Sequence, residues 1–336
     1  MKIKNQLIAL AAVAILAGFF PQNLAQAVTM SPIRIELAAD PGDSTSGVVK
    51  VYNDDRVERN MYLSVAKFEN QDESGEPKFV KGNDQLVSWV KIQSSILIPS
   101  KESREVPFTV NVPSNVDPGG YFGAVFASIV PPSPDGGEVA LQSDVGTLLL
   151  FRVNGDFPEG ETILEFNTKD KKKILNHLPI EFYYRFQNDG ADRAQPLGDI
   201  TIRNLFGGLT KVVSANFGAG NVLPESIRRF ESAWVTAGGD TVEGKYDKVV
   251  QPELNTFWDT VKYQANNFAL GRYSADLNLT VNNDASRTYA KSTSFWVIPW
   301  QLILVVLAIL LVFVLPMLIL FGAIVVYYRR KKRRKQ

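Results

Sequence analysis

The 336-residue chain contains no cysteine and a single histidine, His177. The first absence excludes disulfides, thiol catalysis and cysteine-based metal sites; a chain of this size can be held by its cores alone. The second leaves His177 as the one residue on which a histidine-dependent triad could be built. No G-x-S-x-G is present, and nothing among the 35 acidic residues marks a carboxylate pair for glycoside hydrolysis. The acidic, Gly/Pro-rich stretches Asp40–Gly47, Glu69–Pro77 and Ser133–Glu138 lack the D-x-D-x-D ladder of calcium loops and read as solvated turns. No metal, cofactor or catalytic residue is therefore expected. Helical periodicity is also scarce: between the two ends no amphipathic helix longer than a turn or two is predicted.

Charge balances overall, 36 basic against 35 acidic residues, but not along the chain. Lys2 and Lys4 precede the apolar run Leu7–Phe20 and the small-residue site Ala25–Ala27, the make-up of a secretory signal peptide over residues 1–27. A retained membrane helix is the alternative, for which the run falls short of the roughly 20 residues a span needs. Leu302–Val326 carries no charge and is long enough to cross a bilayer. Trp296 and Trp300 flank it on one side, Tyr327 and Tyr328 on the other, and seven consecutive cations follow, Arg329–Lys335. The expected topology is a membrane helix over 296–328, a basic cytoplasmic tail over 329–336 that touches anionic lipid, and residues 28–295 outside. Setting aside Lys2, Lys4 and the seven tail cations leaves 27 basic against 35 acidic residues, a net −8. Such an ectodomain speaks against nucleic acid as a partner. Export without cysteine suits a bacterial surface.

The exported part is written in short alternating runs. Ile180, Phe182, Tyr184 and Phe186 fall on one face of a strand, with Glu181, Tyr183, Arg185 and Gln187 on the wet face. Tyr273, Ala275, Leu277, Leu279 and Val281 form a second such face. One phrase occurs twice: "SILIPSKESREV" from Ser95 and "NVLPESIRRF" from Asn221 share an apolar pair, a proline and an arginine five residues later. Each half runs strand, Asn-Asp turn, strand, this phrase, strand, then a Gly-Tyr strand beginning at Gly119 or Gly271. The expected equivalences are Pro99 with Pro224, Arg104 with Arg229 and Tyr121 with Tyr273. A tyrosine at the start of a late strand resembles the tyrosine corner of immunoglobulin-like sandwiches. The predicted fold is all-β: two tandem immunoglobulin-like β-sandwich domains, residues 28–155 and 156–295, followed by a single transmembrane helix. One large sandwich or a barrel is the alternative. The boundary falls within residues 154–179, where Glu161–Phe166 could open the second domain.

Aromatics outside the alternating runs are the remaining signal: Trp89, Trp234, Trp258 and Tyr263. The segment Lys248–Asn267 has no counterpart in the first half, and long loops on a sandwich carry function more often than its framework does. Phe257, Trp258 and Tyr263 are the candidate ligand-binding residues, core filling being the alternative for each ring.

The order of elements resembles the bacterial WxL-interacting cell-surface proteins. Val28–Val153 is similar to that family's N-terminal peptidoglycan-binding domain through Pro41, Gly42, Asn53, Pro118, Gly119, Gly120, Tyr121 and Gly123. The resemblance implies a membrane-tethered envelope protein that binds peptidoglycan or a partner surface protein. Pilus chaperones have a similar immunoglobulin-like start and are the competing resemblance, implying an assembly factor that adds a client strand to its sheet. A wall-modifying hydrolase is the third reading.

Overall fold

Alternation becomes strand in both halves of the chain. A computed structural model describes residues 28–80, 84–131, 145–235 and 251–333. The expected signal peptide, the acidic stretch Ser133–Glu138 and the last tail residues lie outside the described residues. Two compact units emerge: one comprises the described residues up to Lys67 with Val80–Asp117 and Tyr121–Val153, the other Phe68–Phe79, Pro118–Gly120 and everything from Asn154 on. Each unit is an immunoglobulin-like β-sandwich.

In the first sandwich one sheet has the order β1 (Val28–Ser31), β3 (Ser44–Asn53), β8 (Ser103–Asn111), β6 (Val90–Ile92). The other runs β2 (Arg34–Ala39), β10 (Val145–Val153), β9 (Gly119–Ser128), β4 (Arg59–Asn70), β5 (Pro77–Val80), with β7 (Ser95–Ile98) pairing β4. A short helix, α1 (Gln85–Trp89), lies between β5 and β6. In the second sandwich the sheets are β11 (Glu161–Thr168), β13 (Ile180–Asn188), β16 (Ser226–Trp234), and β12 (Ile174–Leu175), β18 (Asp284–Val297), β17 (Gly271–Val281), β14 (Pro196–Asn204), β15 (Leu209–Ser214). A longer helix, α2 (Phe257–Asn266), precedes β17. In both sandwiches the chain opens antiparallel to the second strand of one sheet and then crosses to pair in parallel with the last strand of the other, β2 with β10 and β12 with β18. That exchange, with the third and late strands interleaved, is the immunoglobulin arrangement.

The inward faces fill the two cores. Val49, Val51, Met61, Ile98, Phe108 and Phe151 are buried in the first; Phe182, Tyr184, Phe186, Leu277 and Phe295 in the second. Tyr183, expected on the wet face, is buried as well, because the Arg229 guanidinium lies 4.2 Å from its ring centre. Pro107 stands where β8 is an edge on one side, since β6 reaches only Phe108, Thr109 and Val110.

The repeat is present, shifted by one residue. Asn53 and Asn188 close their strands as buried locks. The Asn53 amide donates to the carbonyls of Val57 (2.8 Å) and Ile98 (2.9 Å), and its oxygen accepts from the Asp55 N–H. The Asn188 amide donates to Asp192 (2.8 Å) and Val222 (3.0 Å), and its oxygen accepts from the Gly190 N–H. Two residues before each lock the partner strands place Arg104 opposite Val51 and Arg228 opposite Phe186. The counterpart of Arg104 is therefore Arg228, not Arg229. The cause is the turn: the left-handed residue is Lys101, two after Pro99, in the first phrase but Glu225, directly after Pro224, in the second. From that residue each arginine is three positions on, so Pro99 aligns with Leu223 rather than Pro224.

Tyr121 and Tyr273 are both third in their strands, and each hydroxyl donates back to a preceding carbonyl, Asp117 at 2.9 Å and Leu270 at 3.4 Å. Each also carries a tryptophan on its ring: Trp89 at 4.7 Å and Trp234 at 5.1 Å. Those two tryptophans are core residues.

After β18 a helix runs from Trp300 to Tyr327, 28 residues long and with a mean hydropathy of 3.4 at its most apolar, enough to cross a membrane. It comprises α3 (Trp300–Ile309), a π-helical turn Leu310–Val314 and α4 (Leu315–Arg333), whose last residues extend beyond the apolar run. Pro316 has no N–H for the carbonyl four residues back, and the widened turn before it removes the clash that a regular helix would impose.

Candidate functional site

Residues 248–250 lie outside the described residues, but ten of the twenty residues of the unmatched segment are not an irregular loop. Phe257–Asn266 is the ten-residue helix α2, longer than the turn or two expected. Its start is a capping box: the Thr256 hydroxyl accepts from the Asp259 N–H at 3.1 Å, and the Asp259 carboxylate accepts from the Thr256 N–H at 3.1 Å. Two of the four unpaired N–H groups at a helix start are so satisfied. The Thr-x-x-Asp spacing is legible in the sequence; the apolar pattern is not, because only one narrow stripe of the helix is covered. Thr260, Val261 and Gln264 are its buried residues.

Gln264 joins this helix to the apolar one. Its amide nitrogen donates to the Gln301 side-chain oxygen (2.7 Å) and the Asn176 carbonyl (3.0 Å), and its oxygen accepts from the Leu302 N–H (3.0 Å). A side chain on α2 thus satisfies a donor in the first turn of α3, where no intrahelical partner exists. Sequence reasoning missed Gln264; a lone glutamine in a polar segment carries no signal.

The candidate aromatics divide. Phe257 and Trp258 are exposed on the first turn of α2, edge to face at 5.5 Å, and Phe257 lies 6.3 Å from Trp300. Tyr263 is half-buried and stands edge-on to His177 at 5.8 Å; burial raises its hydroxyl above the usual tyrosine range. The ring brings the lone histidine and α2 together, and the His177 imidazole Nδ1 lies 2.7 Å from the Leu178 carbonyl.

Beside them opens a cleft of about 680 Å³, lined by Lys169, Ile174, His177, Glu181, Ile298 and Trp300 among others. Lys169 pairs with Glu181 at 2.5 Å, and this bond holds its ammonium above the ordinary lysine range. Gln251 also donates to Glu181. Apolar side chains, Ile174, Leu175, Pro179 and Ile298, share the lining with the Lys169–Glu181 ion pair. No group of three or more His, Asp or Glu residues able to hold a metal occurs among the described residues.

No protein-family model matches the sequence, and no curated protein matches it. Solved structures similar to the chain include a class 5 fimbriae chaperone, CfaA, at 14% identity over 80% of this chain and 99% of that one, with a TM-score of 0.38. The CupB2 chaperone of Pseudomonas aeruginosa is 10% identical over 80% and 100% of the two chains, TM-score 0.34. The chaperone DraB of E. coli is 10% identical over 81% and 95%, TM-score 0.31. These are the second of the two resemblances in the sequence; the WxL-interacting family finds no match.

Proposed function

We propose that this is a membrane-anchored protein of a bacterial cell envelope whose two sandwiches stand outside the membrane and bind a partner without catalysis. The observation that carries the reading is the junction: the last strand of the second sandwich runs directly into a 28-residue apolar helix whose first turn Gln264 ties to the sandwich. The seven cations after that helix give it its orientation, with the tail in the cytoplasm.

Several features favour binding over chemistry. Asp55 and Glu165 are held below the usual carboxylate range, chiefly by bonds to Arg59 and Lys171. A general acid needs the opposite shift. The Ser-x-x-Lys spacing occurs twice, at Ser64–Lys67 and Ser88–Lys91. In the first, odd spacing on a strand puts the pair on opposite faces, and Lys67 is bound to Asp84 at 3.1 Å. In the second, the Ser88 hydroxyl donates to the Gln85 carbonyl.

Phe257 and Trp258 are the exposed aromatic residues of this reading, beside the start of the apolar helix, and Tyr263 stands half-buried against His177. Protease added to intact cells should remove the sandwiches and leave an epitope on the basic tail protected; loss of the tail epitope in sealed cells overturns the topology.

One observation favours a polypeptide partner over wall polymer. Strand β15 pairs only with β14 among the described residues and exposes Leu209 and Val212, an apolar edge of the kind that accepts a further strand. Val212→Lys should then abolish capture of surface-protein peptides by the full chain. Unchanged peptide capture, or retention on purified peptidoglycan alone, returns the wall-binding reading to first place.

A further inference from the structure

The large exposed apolar side chains of the second sandwich gather at one end of it. The register locates that end. Asn204 is opposite Tyr273, Tyr273 is opposite Phe295, and Gly271 is opposite Val297. Continued by two residues, it puts Phe206, at the tip of the β14–β15 hairpin, level with Val297, three residues before the membrane helix begins. Leu205 and Phe206 are exposed there, Phe206 by 94%. Phe268 and Leu270 are exposed just before β17 starts at the same level, and Phe257 and Trp258 stand beside Trp300. At the opposite end the β17–β18 turn is Asn282–Asn283, and Phe217 is the exception to the polarity of that half.

Six large apolar side chains around the foot of a transmembrane helix are too many for chance exposure on a soluble surface, where such patches mark contacts. Tryptophan at the level where a span begins favours the boundary between headgroups and acyl chains, and phenylalanine and leucine bury there as they do on the apolar face of interfacial segments. A hairpin two strands away from β18 stands roughly 10 Å to the side of the helix, so the rim is broad rather than a collar on the helix itself. Its continuity with the helix start selects the bilayer as its occupant over a soluble protein.

We propose that this rim is a bilayer-docking surface: the second sandwich rests on the membrane its own helix spans, with Phe206, Phe268, Leu270, Phe257 and Trp258 in the interfacial layer. The proposal rests on the membrane reading above and adds to it that the domain lies against lipid instead of swinging free on its helix. The geometry has a use: α2, clamped to α3 by Gln264, would be held at a fixed height and angle, and β15 would present its edge at a defined distance from the surface.

The chain lacks cysteine, so each single-cysteine variant carries one label. The full chain is placed in nanodiscs of phosphatidylcholine and phosphatidylglycerol, with an environment-sensitive dye at Phe206→Cys, Leu270→Cys, Asn283→Cys or Leu307→Cys, and lipid bearing a nitroxide near the headgroup is added. Dyes at 206 and 270 should emit to the blue of the dye at 283 and be quenched severalfold more. If 206 and 270 behave like 283 while 307 is shielded from water, the docking surface is overturned and the membrane anchor stands. If 307 is as wet as 283, the anchor fails and the docking surface fails with it. Phe206 packs against little, so its replacement leaves the fold intact, which thermal melting of each labelled variant checks.

Discussion

Compared strand for strand, the two sandwiches agree in their framework and part at one end. Both lock the second strand with a buried asparagine, both place a left-handed residue three positions before an arginine, and both set a tryptophan on the corner tyrosine. These features recur because each solves a problem of the strand plan: a chain that leaves one sheet must satisfy the carbonyls it exposes. Among the described residues, only the second sandwich has a helix such as α2, the Gln264 clamp and the apolar rim. What is added lies where the sandwich meets the apolar helix, and nothing in the framework requires it.

The likeness is most open to breaking at the asparagines. Asn53→Ala and Asn188→Ala should each cost about 2 kcal/mol, since each leaves buried carbonyls and an N–H without a partner. Denaturant titration of both variants checks it. Loss in one variant and not in the other would mean that the shared lock is a coincidence of geometry.

A smaller effect sharpens the difference. Thr256→Ala removes the cap of α2 and should cost about 1 kcal/mol. Amide hydrogen exchange should show faster exchange over Phe257–Asn266 with β16 and β17 unchanged. Equal acceleration in those strands would make α2 part of the second core and no addition to it.

The framework is legible in the sequence because period-two alternation leaves its mark on every residue of a strand. Tyr273 to Val281 and Ile180 to Phe186 fall on the buried faces that their spacing assigns. The twofold phrase is legible too, but its register is not. Proline is the conspicuous letter, whereas the position that sets the register is the left-handed residue, Lys101 in one copy and Glu225 in the other, and neither residue type announces a positive φ. Helix α2 escapes notice for a related reason. It buries a stripe of only three residues, Thr260, Val261 and Gln264, two of them polar, so its period is invisible while its Thr256–Asp259 cap is written plainly. Leu205 and Phe206 are apolar letters inside a hairpin turn, a signal that alternation rules discard.

The corner tyrosines separate the sandwiches by a finer measure. Tyr121 donates to its carbonyl at 2.9 Å and Tyr273 at 3.4 Å, a length at which little of a hydrogen bond survives. Tyr121→Phe should therefore cost about 1 kcal/mol and Tyr273→Phe a few tenths at most, with the ring packing preserved in both. Equal losses on thermal melting would show that the longer contact tightens in solution.

The smallest expected effect appears only in alkali, at Tyr289 in the second sandwich. Its ring stands edge-on to Phe186 at 6.0 Å, and its hydroxyl donates to the Glu161 carboxylate at 2.8 Å, which Arg287 also engages. Burial first, and then the bond to Glu161, push the hydroxyl up to about 12. In the unfolded chain a tyrosine titrates near 10. The folded form therefore keeps its proton longer, and the contribution of this group is fully present below about pH 10 and lost as pH rises through about 12. Tyr289→Phe deletes the titration. Melting temperatures of wild type and variant, taken from about pH 9 to 12, should differ by a constant at the lower end and converge toward the upper. The lysines that deprotonate in the same range are common to both proteins and cancel in the difference. Curves that stay parallel across the range would mean that the phenol ionises in the folded protein as an exposed one does.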